Sequence, residues 1–231
     1  MRVNMDEDDK KVLAEENSKR QLTKKEKQRL EKFKVTEEEL KSKGYVRKDL
    51  TTSLTKANVV GLLLVLPIMA VLCIVFLVLH GVAPLQNLIE TDDLWTGLSL
   101  MFAGLSMIPL AVVHELIHGL TWGIGARNHM KDIEYGFIKE MLTPYCYCRS
   151  PLSKGMYLIG SLMPMTLLGT VVCIFGIIFA SPALMVTGLL QVMGGSGDIL
   201  VSSMLLRYNT KGKDIVLMDH PTDCGLVIFE K

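Results

Sequence analysis

The chain has 231 residues, with 25 Lys and Arg against 24 Asp and Glu, so its formal net charge is only +1. The basic residues are interleaved with acidic ones, which argues against a nucleic-acid partner. Five cysteines, odd in number and scattered, argue against a secreted disulfide-stabilised scaffold and indicate reduced thiols.

Charge is concentrated at the N-terminus, where residues 1–56 hold 16 of the 25 basic and 12 of the 24 acidic residues. We interpret this segment as a charged cytoplasmic helical arm, with a docking or regulatory helix as the alternative. Capping boxes of the type Ser/Thr-x-x-Glu start at Thr23 and at Thr36 and predict two helical pieces. Gly44 predicts the end of the second piece.

Four apolar segments follow the arm. The first contains no charged residue and is long enough to cross about 30 Å of hydrocarbon as a helix. The second contains Pro109, which predicts a kink, and the third contains Pro164. The third and fourth are joined so tightly that they predict an antiparallel hairpin. The segments are residues 57–79, 94–125, 156–180 and 182–206.

The basic residues orient these segments. The connection at residues 80–94 has no Lys or Arg, whereas residues 126–155 have five, and three more lie in the tail near the last segment. The positive-inside rule therefore predicts a multi-pass protein of the cell membrane with both termini in the cytoplasm.

We predict an all-α membrane protein with about four transmembrane helices. Its parts are the arm (residues 1–56), a four-span membrane domain that contains the site (57–208) and a cytoplasmic tail (209–231). Strand-like runs predict two small cytoplasmic β-hairpins, one between the second and third spans and one in the tail. The runs are residues 133–138, 145–148, 215–218 and 226–229.

The most informative motif lies in the second apolar segment, where residues 114–118 read His-Glu-Leu-Ile-His. On a helix, His114 and His118 share one face with Cβ atoms about 5–6 Å apart, which suits two ligands of one tetrahedral Zn²⁺. Glu115 lies on a neighbouring face, where a carboxylate acts as general base toward a zinc-activated water. Chance alone gives about 0.006 such matches in this composition. The alternative is a structural hydrogen-bonded cluster.

A catalytic zinc site needs a third protein ligand, and Asp198 is the best candidate. Measured from the cytoplasmic ends of their segments, the motif lies about 9 Å and Asp198 about 12 Å along the helix, so both have similar depth. Asp198 follows Gly-Gly-Ser-Gly at residues 194–197, where missing side chains permit close helix approach or local opening around a metal. A solvated or Arg-paired acid is the alternative.

Other possible ligands carry less weight. Cys146 and Cys148 point the same way from a strand and are more typical of surface cysteines. His129 follows the second span, and Asp219 and His220 lie in a predicted turn of the tail, so we expect none of the three to be catalytic.

The sequence resembles a family of bacterial membrane proteins described as zincin peptidases of unknown substrate. The resemblance covers most of residues 100–225 and rests on HELIHG at 114–119, Pro164, Gly197-Asp198 and the Asp-His-Pro stretch at 219–221. More distantly, the chain is similar to intramembrane metalloproteases of the site-2 protease type. That likeness implies zinc bound by His114, His118 and Asp198, with Glu115 as the base.

We therefore predict a membrane-embedded zinc metallopeptidase that hydrolyses peptide bonds of a membrane or membrane-adjacent protein near the cytoplasmic face, with the lipid bilayer as its other partner. One alternative is a non-catalytic adaptor or metal-binding bundle derived from a peptidase. Another is an ion pathway that uses the same His, Glu and Asp residues as a relay. Retention of Glu115 argues against the first, and the lack of a visible internal repeat argues against the second.

Overall fold

A computed structural model describes residues 23–90, 94–138 and 143–231. Most of these residues are helical, and the strands pack near the ends of the apolar helices. The helices are α1 Lys24–Ser42, α2 Leu54–His80, α3 Ala83–Glu90, α4 Leu94–Leu105, α5 Met107–Gly125, α6 Lys154–Pro164, α7 Val171–Ile178, α8 Pro182–Gly194 and α9 Ser196–Arg207, and the strands are β1 Val46–Thr52, β2 Ile133–Ile138, β3 Thr143–Cys148, β4 Ile215–Asp219 and β5 Cys224–Glu230.

The described part of the arm contains one helix rather than the two predicted. The capping box at Thr23 is confirmed, since its hydroxyl accepts from the Glu26 N–H and its own N–H donates to the Glu26 carboxylate. The prediction of a second start at Thr36 was wrong: its hydroxyl donates to the Lys32 carbonyl one turn back, inside the helix. Gly44, with φ of +88°, follows the end of α1 as predicted. The arm before Thr23 lies outside the described residues.

A strand that the sequence analysis did not predict connects the arm to the tail. β1 pairs antiparallel with β5, which also pairs with β4, so the sheet order is β1-β5-β4. The predicted tail hairpin is therefore confirmed, and it gains a third strand. The strand was missed because its middle reads Arg47-Lys48-Asp49, a charge pattern that strands tolerate at a sheet edge.

The two faces of this sheet are covered by different parts of the chain. Alternate residues on one face, including Leu217, Leu226 and Ile228, pack with the ends of the apolar helices. The opposite face packs against Phe33 and Leu40 of α1. The sheet therefore forms a layer between the arm helix and the apolar helices.

Three helical segments are long and apolar enough to cross a membrane, or four if one bent pair counts as a single span. The pair is α8 and α9, bent by 49° across Gly195. The third candidate is α6 and α7 joined by a wider helical turn at Met165–Thr170, directly after Pro164.

The second candidate span is shorter than the predicted residues 94–125. The segment is divided into α4 and α5 at Ser106, and among its described residues α5 alone is long and apolar enough to cross a membrane. The break lies three residues before Pro109, whose ring nitrogen has no hydrogen to donate to the preceding turn.

The predicted hairpin between the second and third spans is confirmed as β2 and β3, which pair antiparallel and pack against α5. Just beyond it, Leu152 exchanges two backbone hydrogen bonds of 2.8 Å with Leu217 of β4. This bridge holds the hairpin, the sheet and the end of α5 in one group of contacts.

Candidate metal centre

Helix α5 brings three ligand-type side chains together. His114 and His118 are one helical turn apart, and only 8 % and 4 % of their surfaces are exposed. Their ring centroids lie 4.9 Å apart. One ligand atom from each of His114, Glu115 and His118 lies within 4.8 Å of the others, and Glu115 is half-buried. The spacing of the motif therefore produces the convergence expected of a metal site.

Asp198 completes the group from the first turn of α9. Its Oδ2 atom lies 3.1 Å from Nε2 of His114, and its Oδ1 atom lies 3.4 Å from Nε2 of His118. Asp198 therefore lies beside the motif, at the similar depth that the sequence argument predicted. His114, His118 and Asp198 offer two nitrogens and a carboxylate, a donor set typical of zinc in proteins.

The predicted close approach of the glycines before Asp198 to the second apolar segment is not observed. A Cβ on Gly194 or Gly197 would have no heavy atom within 4 Å, and the close neighbour of Gly195 is not on α5. A Cβ on Gly195 would lie 2.8 Å from Cβ of Met165. A Cβ on Gly61 of α2 would lie 2.5 Å from the Ser196 carbonyl oxygen. The start of α9 is therefore held against α2 and the wide turn after Pro164, and this contact presents Asp198 to the histidines.

The hydrogen bond on the far side of His118 tests whether the site fits a cation. Nδ1 of His118 lies 2.8 Å from the Gly160 carbonyl oxygen, which can only accept, so this nitrogen carries the hydrogen. In a neutral imidazole, Nε2 then presents a lone pair toward the Asp198 carboxylate. Two acceptors that face each other require a proton or a metal ion between them, so the residues fit zinc.

An aromatic stack supports His118 from behind. The Trp122 ring lies 4.9 Å from the His118 ring at an angle of 17°, and the Tyr157 ring lies 5.6 Å beyond it. The Trp122 indole N–H donates to the Tyr157 carbonyl oxygen at 3.2 Å. A Cβ on Gly160 would lie 2.1 Å from the Trp122 ring. The sequence analysis missed Trp122, Tyr157 and Gly160, although a glycine inside an apolar helix is a signal of close approach.

Asp219, expected to be non-catalytic, lies at the end of this stack. Its Oδ1 atom accepts from the Tyr157 hydroxyl at 2.8 Å, and its Oδ2 atom accepts from the backbone N–H of Cys148 at 3.1 Å. Burial raises the pKa of Asp219, and these two hydrogen bonds oppose that shift only in part. Asp219 thus connects β4, β3 and the aromatic stack.

The prediction that both cysteines lie at the surface was wrong. Cys146 is half-buried and Cys148 is only 1 % exposed. Burial raises the pKa of the Cys148 thiol to about 12, so it remains protonated at neutral pH. The backbone N–H of Cys146 interacts with the Glu115 carboxylate, which places the base candidate beside β3.

The two remaining histidine candidates have other partners. Nδ1 of His129 lies 3.2 Å from the Gly123 carbonyl oxygen. Nδ1 of His220 accepts from the backbone N–H of Asp223 at 2.8 Å in the turn between β4 and β5. The structure groups neither with the residues of the metal centre.

These features describe a mostly helical protein in which the HExxH residues His114, Glu115 and His118 form a cluster that could hold a metal ion, with Asp198 of a later helix beside both histidines. A family model with the description "Putative zincin peptidase" matches residues 107–212, which include both histidines, Glu115 and Asp198. No curated protein and no solved structure matches the chain. The comparisons thus support the peptidase resemblance and give no support to a likeness with site-2 proteases.

Proposed function

We propose that this chain is a membrane-embedded zinc metallopeptidase that cleaves a membrane or membrane-adjacent protein near the cytoplasmic face. The observation that carries the proposal is the convergence of His114 and His118 on Asp198, with Glu115 beside them. A site that only held a metal would need the ligands and not the extra carboxylate. The family description of residues 107–212 supports the same class of activity.

Each residue has a distinct role in this proposal. His114, His118 and Asp198 hold zinc, and the Gly160 carbonyl keeps Nε2 of His118 directed toward it. Zinc, when bound, lowers the pKa of water and polarises a carbonyl group. Glu115 accepts the proton of the attacking water and returns it to the leaving amine.

The β2–β3 hairpin is the proposed docking site for the substrate. The hairpin is a two-stranded sheet, so each of its strands keeps one edge without a strand partner among the described residues. The Cys146 backbone of β3 lies against Glu115. A substrate segment that is extended along this edge would place its peptide bond near the base.

Backbone pairing supports a four-span arrangement. β1 precedes the first apolar helix and pairs with β5, which follows the last one. The Leu152–Leu217 bridge also places the loop before α6 beside the tail. A hydrogen-bonded sheet lies on one side of a membrane. The chain therefore crosses the membrane an even number of times between β1 and Leu152, and an even number of times between Leu152 and Leu217. We therefore assign the bent pair α8–α9 as the fourth span, with the basic side in the cytoplasm.

The test is to remove the base and keep the metal ligands. Replacing Glu115→Gln should preserve zinc content, fold and membrane insertion, while general-base catalysis contributes about 10²–10⁴ in rate. Cells that carry wild-type or variant protein at equal abundance are compared by mapping new N-termini in their membrane proteome. Glu38→Gln, an exposed substitution on α1, controls for the loss of one carboxylate.

The expected result is a set of fragments that appears with wild type and Glu38→Gln and is absent with Glu115→Gln. If Glu115→Gln retains both zinc and the wild-type fragments, the proposed role of this residue is wrong. If zinc is retained and wild type yields no fragments, the chain is a metal-binding adaptor instead of a peptidase.

A further inference from the structure

A basic cleft lies outside the metal centre, between helix α1 and the loops that follow α5 and β3. Its volume is about 320 Å³. Four cationic side chains line it: Arg29 and Lys32 from α1, Arg127 after α5 and Arg149 after β3. Asp132 is the one carboxylate that lines the same cleft. The proposed peptidase mechanism uses none of these residues.

The acids near the cleft do not cancel its positive charge. Asp132 accepts hydrogen bonds from the Ser150 hydroxyl and from the backbone N–H of Asn128. Two further carboxylates that do not line the cleft pair with its arginines: Glu134 with Arg29 and Arg149, and Glu39 with Arg127. Four cations against three carboxylates leave an excess of one positive charge around the cleft.

Arg29 is the most buried of the three arginines that line the cleft, with 12 % of its side chain exposed. Its guanidinium lies 4.8 Å from the Tyr145 ring centroid and 4.4 Å from that of Tyr147, which fixes its position. Its only ion pair among the described residues is a distant one of 3.4 Å with Glu134. Its Nε atom is the one buried side-chain nitrogen or oxygen in the described part of the chain without a hydrogen-bond partner.

A buried N–H donor without a partner is unusual in a native fold, and Nε of Arg29 is therefore a donor that no described residue satisfies. The hydroxyl groups of Thr36 and Ser150 line the same cleft, but they already donate to the Lys32 carbonyl and to Asp132, so the cations supply the donors of the cleft. Three arginines and a lysine are side chains that bind the oxygens of a phosphate group.

We propose that this cleft binds a phosphate group through Arg29, Lys32, Arg127 and Arg149. The group comes either from a soluble phosphate compound or from the headgroup of an anionic lipid. Both sources fit, since Arg127 lies two residues beyond the end of an apolar helix, at the level where headgroups would lie. Occupancy would hold α1 against the hairpin that borders the metal centre, so the site would couple a phosphate signal to the arm.

The test measures binding to the full chain in detergent after divalent metals have been removed with a chelator. Metal removal keeps the outcome independent of the proposed peptidase site. The probe for soluble phosphate is inorganic pyrophosphate, titrated by calorimetry. The probe for lipid is phosphatidylglycerol, counted on the protein by native mass spectrometry, with phosphatidylcholine as the neutral comparison.

Two matched lysine variants provide the decisive comparison. Lys32→Gln removes a charge from the cleft, while Lys34→Gln removes the same charge from an exposed position on α1 that does not line it. We expect Lys32→Gln to weaken binding of at least one probe by about 3- to 10-fold, and Lys34→Gln to leave it within about 2-fold of wild type. Arg29→Lys, which keeps the charge and removes Nε, should weaken it at least as much as Lys32→Gln.

The probe that responds identifies the source of the phosphate group. Calorimetric binding that depends on Lys32 assigns a soluble compound, and lipid binding that depends on Lys32 assigns a headgroup. Equal losses in Lys32→Gln and Lys34→Gln would mean general attraction to a basic surface and would overturn the proposal. Failure of both probes to bind wild type would overturn it as well.

Discussion

The contact between Gly160 and Trp122 predicts that one methyl group will disturb the metal centre. In Gly160→Ala, the new Cβ atom would lie 2.1 Å from Cδ1 of Trp122. An ordinary contact between carbon atoms is about 3.5–4.0 Å, so the overlap is about 1.5 Å. Trp122 cannot simply move aside, because the residue is only 6 % exposed and its ring stacks between His118 and Tyr157.

The magnitude follows from two opposing effects. Overpacking of this kind costs about 1–3 kcal/mol, whereas replacing glycine by alanine inside a helix gains up to about 1 kcal/mol. We expect a net loss of about 1–2 kcal/mol and a melting temperature lower by a few degrees. Movement of the Gly160 carbonyl also weakens the bond that orients His118, for which a 10- to 100-fold loss of zinc affinity is typical.

Gly155→Ala is the matched control, since Gly155 lies in the same helix and its added Cβ would have no heavy atom within 4 Å. The two variants and wild type are compared by thermal unfolding and by zinc competition against a chromophoric chelator in detergent. Gly155→Ala should match wild type or exceed it in melting temperature. The argument is refuted if Gly160→Ala binds zinc as tightly as Gly155→Ala does.

Three further predictions concern the metal, the pH response and the topology. Asp198→Ala should lower the zinc content found by metal analysis. If the variant still binds a full complement of zinc, Asp198 is not a zinc ligand. Burial raises the pKa of Glu134, but the hydrogen bonds and positive charges of Arg149 and Arg29 together lower this pKa by more than burial raises it. The net shift is therefore downward. Its contribution to stability is therefore present above the unfolded pKa of about 4.3 and lost as pH falls through the folded pKa. The melting-temperature gap between wild type and Glu134→Gln should close at acid pH, and a constant gap contradicts this. Reporter fusions after residue 231 should report the cytoplasm and those within 81–93 the outside; the same side for both excludes four spans.

Local sequence signals predicted the parts of the site that depend on helix periodicity. His114, Glu115 and His118 follow from a spacing of one turn, and Asp198 follows from its depth in a later apolar segment. The supporting residues could not be found this way. The use of Gly160 as an acceptor for His118 depends on how α5 and α6 pack, which no local pattern encodes.

Local sequence patterns also predicted some elements of the fold and missed others. The apolar segments and the two hairpins were predictable from composition and alternation, while the break at Ser106 and β1 were not. β1 contains three consecutive charged residues at positions 47–49, so its hydrophobic alternation is weak. Its strand conformation is specified by its partner β5, about 180 residues later in the chain.

The position of β5 in the middle of its sheet has a consequence for biosynthesis. β5 is translated after all of the apolar helices, yet both β1 and β4 pair with it. The residues that cover Phe33 and Leu40 of the arm, among them Val227 and Phe229, are also translated after those helices. The apolar face of α1 therefore stays without this cover while the apolar helices are being synthesised. Closure of the sheet has to wait for β5, long after β1 has been made.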